Sequence, residues 1–375
     1  MSVFSDNTKP LVVVTTVTQW DEPPRIRHQV TRQLTRFYNV LYVQLFRERK
    51  QKKINNSLII VGVGRYFRGL QRLFYLLPML ERFYKSRMAH RIQKQFISLN
   101  YKKVKLVNFQ FDFPEVLRIP GIQGSLFILN DDFINRDPSL AKSKRDHLLQ
   151  RQKEVIRNSD TVLAVSNPLV SSVRELGYPA TLFLPGVELP EGGFPSPPPE
   201  SFKGMRPIKV CFMGYINSRL DIDWLATLAK QQDVQVDLIG PIERDAAELL
   251  KQAERINILP PVEGIELFSK LASYHSFMIP YKTDNDAIKA ITASNKFFQY
   301  LATGRPVVIS DMPHFIETPD RFVYRASSAA EFVEKIYQTT REDTKDLHQA
   351  RMAFAKENSW DYRGDFLYAC LEKLS

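Results

Sequence analysis

Long apolar runs and cysteines are both scarce in this chain. None of its apolar runs approaches the ~20 residues that cross a bilayer, so no spanning helix is expected in the 375 residues. Only Cys211 and Cys370 occur, far apart and in different expected elements. That excludes a disulfide framework or a cysteine zinc site, and it points to a reducing compartment. No clustered metal-ligand motif is visible, so no metal is expected. The stretch from Met1 to Pro10 is polar and lacks the apolar core of a signal peptide, so a cytoplasmic location is expected. With 44% hydrophobic and 25% charged residues, the composition is that of a globular protein long enough for two cores.

Charge is unevenly spread. The chain carries a formal +11, but Arg47 to Lys105 holds 16 Lys/Arg and two acids, Glu48 and Glu81. Taking that local +14 from +11 leaves −3 on the rest. Within the segment, Phe67, Leu70, Phe74, Leu77, Leu80 and Phe83 or Tyr84 make an apolar stripe at helical spacing. Arg65, Arg68, Arg72, Arg82, Lys85 and Arg87 supply cations, and Pro78 is expected to kink or split the helix. Three readings are open: a core-packed helix with a solvated face, a helix pair lying on anionic lipid, or a nucleic-acid contact. The leucine and aromatic content favours lipid over nucleic acid.

The first half alternates strand, loop and helix, as a parallel α/β sheet does. Leu11-Val12-Val13-Val14 reads as the first strand and opens into a polar, proline-rich loop through Trp20 to Pro24. A helix is expected from Arg25 to Phe37, with Val30, Leu34 and Phe37 on one face. Strands follow at Val40–Val43, Leu58–Val61, Leu106–Phe109 and Leu126–Leu129. The last ends in Asn130-Asp131-Asp132. Acids at the carboxyl end of a parallel strand sit where ligands bind. Asp131 or Asp132 suits a general base or a sugar contact, and suits a helix N-cap equally well. A helix from Ala141 to Asn158 leads to strand Thr161–Val165, helix Leu169–Leu176 and strand Thr181–Leu184.

Pro190, Pro195, Pro197, Pro198, Pro199 and Pro207, with three glycines, then mark a linker over 189–207. The domains on either side are expected at 1–188 and 208–359, with a final helix at 360–375. The second domain restarts with strand Ile208–Met213, and Gly214 directly after it lets a ligand approach the backbone. Arg219 follows and has the planar fork that clamps a diphosphate. The most informative stretch runs from Ala293 to Ser310. Phe297, Phe298 and Leu301 give one apolar helix face, Gly304 stops the helix, and Val307-Val308-Ile309 suits a covered strand. Ser294, Asn295 and Lys296 would lie at the helix N-terminus, where backbone N–H groups attract anions.

Lys296, Tyr300-Leu301-Ala302, Gly304 and Pro306-Val307-Val308 together resemble the nucleotide-holding motif of GT-B-fold glycosyltransferases, most closely those of bacterial surface polysaccharides. The likeness implies an α/β fold of two Rossmann-like parallel-sheet domains facing across a cleft, with the final helix at 360–375 packing back on the first. It implies a donor site of Gly214, Asn217, Arg219, Val262, Tyr281, Ser294, Asn295, Lys296 and Gln299. It also implies an acceptor side with Trp20, Arg25 and Arg27, and catalytic candidates Asp132, Asp131 and His28. For His28 a plain surface-helix position weighs slightly more. The chain departs from the pattern in two places. Gln299 stands where the family usually has a ribose-binding Glu, and Ile291 where many relatives have a second Glu.

The expected activity is transfer of a sugar from a nucleotide-sugar co-substrate to a glycan or lipid-linked saccharide, without metal or other cofactor. The partners implied are donor, acceptor and an anionic membrane surface through 64–105, on the inner face of the cell membrane; nucleic acid is not expected. A non-catalytic binding subunit and a nucleotide-sugar epimerase of the same fold remain open.

Overall fold

A computed structural model describes residues 4–6, 8–64, 74, 77–135, 139–190, 196–251, 253, 255–262, 264–284 and 286–374. The chain divides into two compact units, Met1–Leu184 with Arg363–Ser375, and Pro185–Tyr362.

The first unit is an eight-stranded sheet. Its strands are β1 (Leu11–Thr16), β2 (Asn39–Leu45), β3 (Arg49–Asn55), β4 (Leu58–Val63), β5 (Val104–Asn108), β6 (Ile122–Leu129), β7 (Thr161–Ala164) and β8 (Thr181–Leu182). The spatial order is β3-β4-β2-β1-β5-β6-β7-β8. All pairings are parallel except β3 with β4. Sheets of this kind are covered on both faces, which accounts for the unbroken burial of β1 and β2. β1 runs two residues past the apolar run, because the buried Thr15 hydroxyl donates to Asn108 Oδ1 at 2.8 Å. The helices are α1 (Ile26–Leu34), α2 (Pro78–Ser98), α3 (Lys142–Asn158) and α4 (Asn167–Glu175).

The basic segment differs from expectation in two ways. Its first part forms β3, an exposed edge strand reading Arg-Lys-Gln-Lys-Lys-Ile-Asn. Lysines on an edge discourage pairing with another chain. Pro78 starts α2, where its missing N–H costs nothing, and the non-helical Leu77 before it agrees with the expected split. The core face of α2 lies further along than the stripe, at Met88, Ala89, Ile92 and Phe96. Phe74 is buried and packs on Tyr84, with ring centroids 5.5 Å apart, whereas Leu77 and Phe83 stay exposed. Phe67, Leu70, Arg65, Arg68 and Arg72 lie outside the described residues.

Part of the positive charge is internal. Lys85 bridges Glu81 at 2.6 Å and Asp112 Oδ2 at 2.9 Å. Arg151 of α3 bridges Glu115 at 2.6 Å. All but Asp112 are buried, so these cations hold α2 and α3 on the sheet and are not offered to a partner.

The second unit is a six-stranded, all-parallel sheet. Its strands are β9 (Ile208–Met213), β10 (Val234–Ile239), β11 (Ile256–Leu259), β12 (Ser276–Ile279), β13 (Val307–Ser310) and β14 (Val323–Ala326). The order is β11-β10-β9-β12-β13-β14. Helices α5 (Ile222–Ala229), α6 (Arg244–Leu250), α7 (Gly264–Leu271), α8 (Asp286–Lys289), α9 (Asn295–Ala302), α10 (Ala329–Glu342) and α11 (Lys345–Glu357) belong to it, and α12 (Trp360–Glu372), which from Arg363 on belongs to the first unit, ends the chain. The proline-rich stretch is no free tether where it is described. Arg305 Nη2 donates to Pro197 O at 2.6 Å, and its guanidinium lies 4.1 Å over the Phe202 ring.

Candidate functional site

In the second unit the chain winds from β9 outward through β10 and β11, then returns to place β12 on the other side of β9. That reversal makes the carboxyl ends of β9 and β12 the place where open α/β sheets bind ligands. Gly214 ends β9, and Tyr281 lies two residues past β12. Lys296, from the first turn of α9, reaches between them. Its Nζ donates to Tyr281 Oη at 2.9 Å and lies 4.2 Å over the Phe212 ring. Gly214 has φ 139°, and a Cβ built there would stand 2.6 Å from Lys296 Nζ. The positive φ favours glycine here, and any side chain would have to displace the ammonium.

α9 is anchored so that its N-terminus points where Lys296 does. The buried Tyr300 stacks on Phe277, centroids 4.2 Å apart, and its hydroxyl accepts from the Met213 N–H at 2.7 Å. Phe297, Phe298 and Leu301 complete the buried face. Ser294 occupies the N-cap position, but its side chain makes no capping bond. The first-turn N–H groups of α9 thus keep the partial positive charge that attracts an anion. Asn295 is exposed, and Gln299 is half-buried one turn further on.

The other expected donor residues are placed as follows. Asn217 Oδ1 accepts from the Arg219 N–H at 3.1 Å, shaping the loop after β9. The Arg219 side chain is exposed, while its carbonyl accepts from the Lys282 N–H at 2.9 Å. This ties the β9 and β12 loops together. Val262 is half-buried in the loop after edge strand β11, two strands from β9. Phe212, the ring beneath Lys296, was not among the expected residues. An aromatic two residues before a strand-ending glycine was its only signal.

The helix stop behind this site is held by buried polar groups. Gly304 has φ 76°, and a Cβ there would meet the His348 ring at 2.3 Å. His348 and His275 are both buried. Burial, then the nearby Arg305, pushes each down to about 4. Each is neutral when folded but protonates near 6.5 when unfolded, so the unfolded state binds more protons between these values. Stability is full above about 6.5 and falls as pH drops toward 4, by roughly 2–3 kcal/mol per histidine. Thermal melts from pH 7 to 4 should show this decline, with a shallower slope in His348→Gln. Equal slopes would remove His348 from the account.

The first unit has its own reversal, between β1 and β5. Here the fold gathers residues that lie far apart in the chain. Arg27 is buried; its Nη1 donates to Thr18 Oγ1 at 2.8 Å and its Nη2 to Asn130 Oδ1 at 3.1 Å. Burial lowers its pKa, partly offset by charges that include Asp131. Trp20 packs on His28 and Tyr42, with centroids 5.2 and 5.1 Å away. Arg25 is exposed and lies 3.6 Å from Glu22.

His28 is neither a surface residue nor an unengaged base. It is 1% exposed. Its Nδ1 accepts from the Arg25 N–H at 3.1 Å, and its Nε2 lies 2.9 Å from Gln19 O. A carbonyl can only accept, so Nε2 carries the proton. Both ring nitrogens are thereby used to cap α1 and hold the loop, and burial lowers the pKa. Asp132 is exposed and caps a turn: Oδ1 accepts from Asn135 N at 3.0 Å and Oδ2 from Asn135 Nδ2 at 3.1 Å. Asp131 is half-buried, and its Oδ1 accepts from Asp132 N at 2.9 Å. Asn130, which the sequence left without a role, is the residue that joins Arg27 to the end of β6.

No family model matches the chain, and no curated protein matches it. Solved structures do. One is titled as trehalose-6-phosphate from E. coli bound with UDP-2-fluoro glucose: 12% identity, TM-score 0.66, covering 96% of this chain and 98% of that one. A second is an alpha,alpha-trehalose-phosphate synthase (UDP-forming) from Burkholderia vietnamiensis, with 12% identity, TM-score 0.63, and 97% and 100% covered. A third is the lipopolysaccharide outer core galactosyltransferase WaaB in apo form, with 10% identity, TM-score 0.64, and 97% and 99% covered. These neighbours are GT-B glycosyltransferases. At such identities the likeness concerns the path of the chain, and over nearly the whole of its length this chain has the GT-B fold.

Proposed function

We propose that this protein is a glycosyltransferase that moves a sugar from a nucleotide-sugar donor to a hydroxyl of a glycan or lipid-linked saccharide. One observation carries the reading. An ammonium, a side-chain-free backbone and an uncapped helix N-terminus converge at the ligand-binding end of the second sheet. That is the arrangement a leaving diphosphate needs, because negative charge grows on it as the glycosidic bond breaks. Lys296 and the first turn of α9 would neutralise it, with Arg219 reaching from the β9 loop and no metal in the reading. Gln299 would accept from ribose hydroxyls through its amide oxygen. In the first unit Trp20, Arg27 and Asn130 would hold the acceptor, with Asp131 the candidate base; Asp132 and His28 serve the loops that present them.

The acceptor would be met at a membrane surface. Leu77, Met79 and Phe83 are exposed at the start of α2, and Arg82 and Arg87 stand beside them. Apolar side chains flanked by cations suit the interface of an anionic leaflet. Among the described residues no helix is long and apolar enough to cross it.

The test is thermal stability against a panel of nucleotides and nucleotide sugars. A ligand that binds only the folded state raises the melting temperature by mass action. A shift with one nucleoside diphosphate family is expected, lost in Lys296→Ala and reduced in Arg219→Ala. No shift at millimolar ligand in a well-folded sample would sink the donor site. Gln299 supports a second reading, a non-catalytic binding subunit, because it lacks the charge of the usual Glu. That subunit would bind a donor without consuming it in any acceptor screen.

A further inference from the structure

Between β3, the end of β4 and α2, the first unit has an open groove of about 450 Å³. Arg49 and Lys50 line it from β3, and Arg91 and Lys94 from α2. Glu48 is the one acid among its described lining residues. Gly62 and Gly64, at the end of β4, also line it.

The cations are unevenly satisfied. Arg91 Nη1 lies 3.5 Å from Glu48, and Arg49 Nη1 lies 3.9 Å from Asp21. Lys50 and Lys94 are exposed and form no ion pair among the described residues. Arg91 and Lys94 are three apart on one helix face, where like charges repel. Guarding an edge strand requires charge on β3 alone. It does not require matching cations aimed at the same groove from α2. Two elements that contribute cations to one concavity describe a receptor for an anion, and the two guanidiniums suit an oxygen fork.

We propose that this groove binds a phosphate monoester or diphosphate group, at a site separate from the donor pocket of the second unit. The inference stands on the first unit alone and holds whether or not the donor reading does. The phosphate could belong to a phosphorylated saccharide in solution or to a lipid headgroup.

The test uses the full chain carrying Lys296→Ala, so that the proposed donor cation contributes nothing. Pyrophosphate is titrated by calorimetry in one arm. In the other, vesicles of phosphatidic acid are compared with vesicles of phosphatidylcholine. Each arm is repeated after adding Lys50→Gln and Lys94→Gln, both at exposed positions, with a thermal melt to verify folding. Arg91→Gln serves as a second variant. The expected result is binding that weakens at least tenfold in the double substitution. Pyrophosphate binding lost this way assigns a soluble phosphorylated ligand. Binding only to phosphatidic acid vesicles, lost this way, assigns a headgroup. No binding in either arm, or binding the substitutions leave unchanged, overturns the proposal.

Discussion

In Lys296→Ala, kcat/KM for sugar transfer is expected to fall about 100- to 1,000-fold, the range seen when one donor to a developing anion is removed. The melting temperature should hardly move. Lys296 contributes to the fold through its place over Phe212 and its bond to Tyr281, a cation–π contact of about 0.5–1 kcal/mol. Its larger role is the one proposed for it in the reaction. The leaving diphosphate carries more charge in the transition state than in the bound donor, so kcat should drop more than donor affinity. Lys296→Arg keeps the charge but brings a wide, planar head into the space between the Gly214 backbone and the Phe212 and Tyr281 rings. It should rescue little. Turnover within threefold of the parent in Lys296→Ala would remove Lys296 from the chemistry.

The motif behind that prediction could be read because it is local. A helix face, its stop and the next strand fall within Ser294 to Ser310, and the structure places α9 and β13 inside that stretch. Each rests on short-range rules: 3.6-residue spacing, a left-handed glycine and a β-branched run. The alternation of strand and helix followed from the same rules repeated along the chain; the GT-B fold was what the motif's resemblance implied.

What could not be read depends on contacts distant in sequence. The +14 segment looked like one basic surface. Yet Lys85 within it is buried and committed to Asp112, 27 residues away. A charge count cannot tell a buried cation from an exposed one. Likewise His28 gave no sign that both its nitrogens would be occupied, since Gln19 reaches it only through the fold of the loop. Arg27 and Asn130 are 103 residues apart. β3 was missed because lysine-rich strands have low intrinsic propensity. Its place follows from pairing with the apolar β4, not from its own sequence.

Arg351→Ala is expected to destabilise the protein by about 3–5 kcal/mol, the cost of leaving one partner of a buried ion pair alone. Arg351 is fully buried. Its Nη1 donates to Asp343 Oδ1 at 2.6 Å and to Gly304 O at 3.0 Å; its Nη2 donates to Arg321 O at 2.6 Å. Burial raises the Asp343 pKa, with Arg351 and Arg305 opposing it. Without Arg351 the carboxylate keeps only Arg305, at 3.7 Å among its ion pairs. Two carbonyls, of Gly304 and Arg321, lose a donor inside the protein, which adds to the cost. One of them belongs to the glycine that ends α9, so the loss acts on the helix that carries Lys296. Arg351→Lys retains a charge but cannot span three acceptors, and an intermediate loss is expected. Urea unfolding of the three proteins decides the matter. A loss below 1 kcal/mol in Arg351→Ala would mean that the turn behind the donor site holds its shape without this network.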